Sequence, residues 1–272
     1  MWGTPGFEWD GSAGRGGRAV GPDGGNVVKQ TTTRAQVSAV WDAANSLPID
    51  LSVGAVHLWQ RDLRVSANEV ARCYDVLATD ERERAQRFRV ERPREEFVLT
   101  RGTLRSLLGQ YMGIPPQSIR FRYSSYGKPV LDGDDSLCFN VSHTEGRALL
   151  GFSRDRAVGV DVEKFRPMTD LRKLAERYFS ATERGELRHL TGDELEAAFF
   201  RCWTRKEAYI KARGEGLSMP LDQFDVSVVP NDEDALLGTR PDPAEAERWT
   251  VSDVSVGSGY AAAVTVAAEE NA

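Results

Sequence analysis

The sequence has few cysteines, no long apolar run and no pattern of a secretion signal. Its three cysteines (Cys73, Cys138 and Cys202) are odd in number and scattered, so they match neither a zinc-binding spacing nor a disulfide framework. No apolar stretch approaches the roughly 18 residues of a bilayer-spanning helix, and the N-terminus lacks a basic-then-apolar segment. A cytoplasmic protein without a membrane partner is therefore expected.

The chain also lacks the excess of positive charge that is typical of a general polyanion binder. Among its 272 residues, 35 are Lys or Arg and 41 are Asp or Glu, which gives a formal net charge of −6 at pH 7. Proteins whose main partner is nucleic acid are usually basic, so nucleic acid is excluded as an expected partner. An anionic ligand would have to meet local clusters of positive charge.

A phosphate-binding loop of the Walker type is missing as well. Gly127 and Lys128 are followed by Pro129, whereas that motif requires Ser or Thr after the lysine. On its own, the run from Tyr126 to Pro129 predicts a turn.

Two carboxylates mark the most informative stretch, residues 157–163 (AVGVDVE). Its alternation and its β-branched valines predict a strand, on which Asp161 and Glu163 share one face. Two carboxylates so close repel each other, and a divalent cation such as Mg²⁺ removes the conflict. The alternative is an edge strand whose carboxylates face water. Just before it, residues 139–143 (FNVSH) end another predicted strand, which places His143 near Asp161.

Positive charge is concentrated in residues 82–105, which contain Arg82, Arg84, Arg87, Arg89, Arg92, Arg94, Arg101 and Arg105. A first helix is predicted over residues 80–88, with Asp80 and Glu83 as a capping pair. A second, over residues 94–112, has an apolar face formed by Phe97, Leu104, Leu108 and Tyr111. Arg101 lies on that same face and requires a nearby anion. The anion is either an internal carboxylate or a phosphate of a bound ligand.

The longest predicted helix, over residues 193–212, brings a third carboxylate beside a lysine. Residues four apart share a helix face, which here consists of Leu195, Phe199, Trp203, Glu207 and Lys211. The three apolar members should pack inward. Glu207 and Lys211 then form either a simple ion pair or part of a site.

The predicted elements divide the chain into three parts. Residues 1–54 are glycine-rich at their start and are expected to form a largely disordered N-terminal extension. Residues 55–163 and 164–272 are predicted to be two related α/β halves, and a final hairpin within 249–267 mirrors one predicted at 148–163.

Four motifs in order resemble the Sfp-type (surfactin-type) 4′-phosphopantetheinyl transferases. They are GKP at 127–129, FNVSH at 139–143, VGVDVE at 158–163 and WTRKEAYIKARGEGL at 203–217. The resemblance extends from about residue 55 to 267. It implies an α/β (α+β) fold, built as a pseudo-twofold monomer of two similar halves with coenzyme A bound between them.

The resemblance also implies roles for individual residues. It implies that Mg²⁺, with Mn²⁺ as the alternative, is held by Asp161, Glu163 and Glu207. It implies contacts to coenzyme A from Arg92, Arg101, Lys128, Ser142 and His143. It identifies Glu207 and Lys211 as the catalytic residues.

The implied reaction moves 4′-phosphopantetheine from coenzyme A to a serine of an apo acyl or peptidyl carrier protein, as in secondary metabolite biosynthesis. Its products are the holo carrier and 3′,5′-ADP. Glu207 would take the serine proton, directly or through a metal-bound water, and Lys211 would stabilise the charge on the departing phosphate. Two alternatives are a coenzyme-A-binding regulator without turnover and a Mg²⁺-dependent nucleotidyl transferase. The three carboxylates with Lys211 argue against the first, and FNVSH argues against the second.

Overall fold

The computed structural model describes residues 27–31, 39–41, 49–214, 219–232 and 235–268. Within these ranges, helices combine with antiparallel sheets in two consecutive halves, which confirms the predicted α/β fold class. Among the described helices, none has the length and hydropathy that crossing a bilayer requires.

Within the described residues, the first half contains seven strands and three α-helices. Its helices are α1 (Ala67–Asp75), α2 (Thr79–Gln86) and α3 (Glu91–Met112). Its strands are β1 (Val27–Thr31), β2 (Ala39–Trp41), β3 (Val56–Asp62), β4 (Phe121–Tyr123), β5 (Pro129–Leu131), β6 (Leu137–Thr144) and β7 (Arg147–Arg154). Five of them form an antiparallel sheet in the order β2-β1-β3-β7-β6, and β4 pairs with β5.

The second half repeats the order of elements that runs from β3 to β7. Its helices are α4 (Leu171–Tyr178), α5 (Ala181–Leu187) and α6 (Gly192–Arg213). Its strands are β8 (Val158–Lys164), β9 (Phe224–Val226), β10 (Leu236–Thr239), β11 (Trp249–Asp253) and β12 (Tyr260–Ala267). The main sheet has the order β11-β12-β8, and β9 pairs with β10.

Two predictions about the halves differ from the structure. β8 pairs with β12, so the sheets divide before β8, whereas the sequence placed the boundary after Glu163. The hairpin that β11 and β12 mirror is the one formed by β6 and β7, and β7 does not pair with β8. The predicted disorder of residues 1–54 lies mostly outside the described residues, although Val27–Thr31 and Ala39–Trp41 within it are strands.

Local sequence explains where the helices begin and end. α5 begins with a capping box in which Ser180 and Glu183 bond each other's backbone N–H, as predicted. The corresponding prediction for α2 is wrong, because Glu81 rather than Glu83 accepts the N–H of the capping residue Ala78. Both long helices end at a left-handed glycine, Gly113 in α3 and Gly214 in α6.

The halves meet along β6 and β8, the facing edge strands of the two main sheets. Their link is formed by side chains: Asn140 Oδ1 accepts the Val160 N–H at 2.9 Å, and Thr144 Oγ1 accepts the Lys164 N–H at 3.3 Å. Each half has its own apolar core, and a third core of mainly valines from β3, β8 and β12 joins them. Polar residues on β6 and β8 therefore lie at the seam between the halves.

Candidate active site

Helix α6 lies directly against β8 because Gly159 has no side chain. A Cβ atom at this position would lie 2.1 Å from the Ala208 carbonyl oxygen and 2.3 Å from the Ala212 nitrogen. No other residue allows this approach. The contact brings the C-terminal half of α6, with Glu207 and Lys211, to the face of β8 that carries its carboxylates.

Three elements contribute to one polar network at this point. The Ser142 hydroxyl on β6 donates to Asp161 Oδ1 on β8 at 2.7 Å. Lys211 Nζ on α6 donates to the same Asp161 oxygen at 2.5 Å and to Ser142 Oγ at 3.1 Å. One carboxylate oxygen of Asp161 is thereby fixed by two donors.

Two other carboxylate oxygens of the cluster have no hydrogen-bond partner among the described residues, whereas Glu163 Oε2 lies 3.5 Å from Arg166 Nη1. Asp161 Oδ2 and Glu207 Oε1 are buried and make no hydrogen bond within the described residues. Burial, together with the negative charge of Asp161, raises the pKa of Glu163 to about 7. Burial likewise raises the pKa of Glu207 to about 7, although Lys211 acts in the opposite direction. The cluster therefore has more carboxylate than local positive charge.

The donor set fits a divalent cation. Unpaired, buried carboxylate oxygens are the hard ligands that Mg²⁺ prefers, and a cation would relieve their repulsion. Within the described ranges, however, no three His, Cys, Asp or Glu side chains are grouped closely enough to form a ready metal site. The metal assignment of Asp161, Glu163 and Glu207 therefore stays a prediction.

Lys211 remains a cation in this setting. Burial disfavours its charge, but Asp161 and Glu207 more than offset that cost and raise the pKa of the lysine. The ammonium group is therefore held at a defined point beside the carboxylates, where it can donate to an anion.

A cavity of about 450 Å³ opens onto this network. One wall comes from α2 and α3, and the other comes from β6, β8 and α6. The predicted site residues that line it are Arg101, Ser142, His143, Asp161, Glu163, Glu207 and Lys211. Residues from both halves therefore converge on one cavity, and seven of the nine predicted site residues are among them.

Arg101 faces the cavity and also has an internal partner. Its Nε pairs with the buried carboxylate of Glu81, and its Nη2 donates to the Tyr123 hydroxyl at 3.3 Å. Its guanidinium lies over the Phe121 ring, 4.0 Å from the centroid. Of the two anions considered for Arg101, the internal carboxylate is therefore observed, and a ligand phosphate stays a prediction.

Arg92 and Lys128 do not line the cavity. Arg92 is exposed and pairs with Glu96 at 3.4 Å and with Glu145 at 2.9 Å. Lys128 Nζ is directed at backbone carbonyls, the nearest being that of Lys211 at 2.7 Å. The structure therefore separates these two predicted coenzyme A contacts from the other seven predicted site residues.

Sequence reasoning missed four residues at or beside the cavity. Arg84, Thr100 and Tyr126 line it, and the buried Thr100 hydroxyl makes no hydrogen bond to any other described residue. Arg105 pairs with Glu81 behind Arg101 and is the more deeply buried of the two arginines. Arg84 and Arg105 were indistinguishable in sequence from the solvated arginines around them. The one available signal for Arg105 was its position one helical turn beyond Arg101.

Comparison with family profiles matches both halves of the chain. Residues 157–265 match the 4′-phosphopantetheinyl transferase superfamily. Residues 62–151 match the family described as 4′-phosphopantetheinyl transferase, N-terminal. The first matched segment ends within β7 and the second begins one residue before β8, close to the point where the sheets divide.

Individual proteins show the same similarity. The 4′-phosphopantetheinyl transferase HetI of Nostoc sp. is 37% identical over 215 residues, which cover 78% of this chain and 87% of that protein. The 4′-phosphopantetheinyl transferase Sfp of Bacillus subtilis is 32% identical over 165 residues, covering 61% of this chain and 72% of Sfp. The 4′-phosphopantetheinyl transferase AcpT of Salmonella typhimurium is 37% identical over 110 residues, 40% of this chain and 56% of AcpT.

Proposed function

The chain belongs to the 4′-phosphopantetheinyl transferase superfamily, and on that basis we propose that it transfers 4′-phosphopantetheine from coenzyme A to a serine of an apo acyl or peptidyl carrier protein. The products would be the holo carrier and 3′,5′-ADP. The observation that supports this most is the convergence of Asp161, Glu163, Glu207 and Lys211 on a cavity at the seam between the halves.

Glu207 is the proposed general base. A serine hydroxyl is a weak nucleophile until a base accepts its proton. The Oε1 of Glu207, which is buried without a hydrogen-bond partner among the described residues, can accept it, and burial raises the pKa of this carboxyl to about 7, so that it takes a proton more readily than an exposed glutamate does. The same burial keeps bulk water from competing with the serine.

Lys211 is the proposed electrostatic catalyst. Its ammonium group donates hydrogen bonds to Asp161 and Ser142, which fix the orientation of the group. A fixed cation at this point stabilises negative charge as it grows on the departing phosphate, without a reorganisation cost during the reaction.

Asp161, Glu163 and Glu207 would hold Mg²⁺, or Mn²⁺ in its place. When bound, the cation would supply charge neutralisation for the pyrophosphate of coenzyme A. The unpaired oxygens of Asp161 and Glu207 support this assignment. Lys211 already pairs with Asp161, so the other carboxylate oxygens of the cluster stay available to coordinate the cation.

Coenzyme A is proposed to lie between the arginine wall and the carboxylates. Arg101, Ser142 and His143 line the cavity and retain their proposed contacts, and Arg84 is added to them. Aromatic side chains in the same lining, Tyr123 and Tyr126, are more than half exposed and offer flat surfaces to the ligand.

We also propose that the protein acts in the cytoplasm as a monomer. Cys73, Cys138 and Cys202 are all free thiols, which suits a reducing compartment. The proposed site residues that line the cavity come from both halves of the chain, which is the arrangement that a pseudo-twofold monomer requires.

The proposal is tested by incubating the full chain with coenzyme A, Mg²⁺ and a panel of apo acyl and peptidyl carriers, followed by intact-mass measurement. A transferase increases the mass of a carrier by one phosphopantetheine group, and replacing the acceptor serine by alanine abolishes the increase. Binding of coenzyme A with no mass change in any carrier would instead support a regulator without turnover.

A further inference from the structure

Lys128 extends from the first half to the two elements that carry the carboxylates. It follows a tight turn, in which the Gly127 N–H donates to the Ser124 carbonyl at 2.8 Å and the Lys128 N–H donates to Ser124 Oγ at 3.0 Å. The side chain then crosses the seam, and its stem contacts the region of Gly214, the residue that ends α6. The turn therefore fixes the backbone position from which the Lys128 side chain extends.

All three donors of the Lys128 ammonium have backbone acceptors. Nζ lies 2.7 Å from the carbonyl oxygen of Lys211 and 3.4 Å from those of Ala212 and Val158. An ammonium group has three N–H bonds, so this set leaves no donor directed at a phosphate. Two of the acceptors are in the last turn of α6, and the third is the first residue of β8.

A cation stabilises a helix when it lies at the C-terminal end of that helix. The last carbonyls of α6 lack intrahelical partners and carry the negative end of the helix dipole. Lys128 satisfies two of them and simultaneously ties them to β8. Gly159 allows α6 to approach β8, and Lys128 holds the two together near that point.

We propose that Lys128 is a positioning residue, which fixes the last turn of α6 against β8 and thereby fixes Lys211 relative to Asp161. This inference rests on the proposed transferase function. It assigns Lys128 to the alignment of the catalytic lysine, whereas the family resemblance implied a contact with coenzyme A.

The first arm of the test is hydrogen exchange of Lys128→Met, which keeps the stem and removes the donors. Amides of residues 210–214 should exchange about tenfold faster than in the wild type, because the helix end has lost its cation. Lys173→Met is the matched control, since Lys173 is an exposed lysine of α4, and it should leave exchange at 210–214 unchanged. This arm needs no carrier and no turnover, so it stands even if the proposed function fails.

The second arm separates alignment from ligand binding. In Lys128→Met, kcat for transfer should fall by about 10- to 100-fold, the effect of a small misplacement of a catalytic group. KM for coenzyme A and the dissociation constants of coenzyme A and 3′-dephospho-coenzyme A should stay within about twofold of the wild type. A merely destabilised protein would not show this split between kcat and KM at a temperature where it is folded.

The opposite pattern would overturn the proposal. Unchanged exchange at 210–214, together with weakened binding of coenzyme A, would make Lys128 a ligand contact. If Lys128→Met does not fold, Lys128→Gln, which keeps an amide donor on a shorter arm, is measured in the same way. The hydrogen exchange of residues 210–214 in this variant, and its separate effects on kcat and KM, then support or overturn the proposal by the same criteria.

Discussion

In both halves, a seven-residue strand leads through three helices, the last of 22 residues, to a two-stranded ribbon and a hairpin. The main sheets repeat one pairing order, β3-β7-β6 in the first half and β8-β12-β11 in the second. Positions in β3 and α3 can therefore be compared one by one with positions in β8 and α6.

One buried ion pair is common to the two halves. Glu81 accepts from Arg105, which also donates to the carbonyls of Pro116 and Ile119. Its counterpart Glu183 accepts from Lys206 at 2.8 Å, and Lys206 also donates to carbonyls at the same place in the fold. Arg105 and Lys206 are each the fifteenth residue of their helix. The pair connects three elements in each half and therefore belongs to the scaffold.

The proposed catalytic residues lie at positions where the halves differ. The fourth and sixth strand residues and the sixteenth and twentieth helix residues are Trp59, Arg61, Ser106 and Gln110 in the first half. In the second half they are Asp161, Glu163, Glu207 and Lys211. The same scaffold positions thus carry neutral or basic groups in one half and the proposed catalytic set in the other.

The packing between strand and helix differs in the same way. In the first half, His57 Nδ1 and Trp59 Nε1 lie 2.8 and 2.9 Å from the Tyr111 hydroxyl, so large side chains separate β3 from α3. In the second half, the positions of His57 and Tyr111 are occupied by Gly159 and Ala212, which touch. Small residues at this pair of positions are what bring helix and strand carboxylates together.

The largest effect is expected from Glu207→Gln. This variant keeps size and one oxygen but cannot accept the serine proton, so transfer should fall by about 10²–10⁴-fold while coenzyme A still binds. Its counterpart in α3, Ser106→Ala, lies outside the cavity lining and should stay within about twofold of the wild-type rate. Single-turnover mass spectrometry measures both. Equal transfer rates in the two variants would contradict the proposed functional difference between α6 and α3.

The shared ion pair predicts a loss of stability in either half. Glu183→Gln leaves Lys206 buried without its carboxylate and should cost about 3–5 kcal/mol of unfolding free energy. Glu81→Gln should cost less, because Glu81 lines the cavity and Arg101, one of its two arginines, also faces the cavity and can meet water there. Urea denaturation measures the unfolding free energy of both variants. A larger loss for Glu81→Gln than for Glu183→Gln would contradict this prediction.

Gly159→Ala tests the close contact between α6 and β8. The added methyl group overlaps the α6 backbone, so unfolding free energy should fall by about 1–3 kcal/mol and transfer should slow as Lys211 moves from Asp161. Gly185→Ala in α5, where a Cβ meets no atom within 4 Å, is the matched control. It should be neutral or stabilise by up to about 1 kcal/mol. Similar thermal shifts in both variants would contradict the packing argument.

The smallest effect is expected from Arg101→Met, at the position that is Cys202 in the second half. Glu81 keeps Arg105, so unfolding free energy should change by no more than about 1 kcal/mol, while coenzyme A affinity falls about tenfold. Arg87→Met removes an exposed arginine of the same region and should leave affinity unchanged. Calorimetric titration checks both. A stability loss with unchanged affinity would make Arg101 part of the scaffold.

Periodicity alone predicted the residues that share one element. The alternation of β8 placed Asp161 and Glu163 on one face, and the i,i+4 row of α6 placed Glu207 and Lys211 beyond its apolar members. In the structure, Phe199 is buried and Leu195 and Trp203 pack against the same core. The family resemblance supplied the convergence of β8 and α6, and Gly159 gives its physical reason.

Contacts between distant segments could not be predicted in this way. Glu81 lies 24 residues before Arg105, and the Lys128 ammonium bonds a carbonyl 83 residues later. No local pattern shows that Glu81 turns inward while Glu83 does not, and this is why the predicted cap of α2 was wrong. The acceptors of Lys128 are backbone atoms, which have no signature in sequence at all.

The most direct measurement is the initial transfer rate against Mg²⁺ concentration for the wild type and Asp161→Asn. Asparagine keeps an oxygen for Ser142 and Lys211 but removes the charge, so folding and coenzyme A binding should persist. The wild-type rate should rise to a plateau with Mg²⁺ and vanish in chelator, and the variant should remain about 10²–10³-fold slower at every concentration. An Asp161→Asn curve that coincides with the wild type, or a wild-type rate that chelator leaves unchanged, would contradict the assignment of this carboxylate cluster to the reaction.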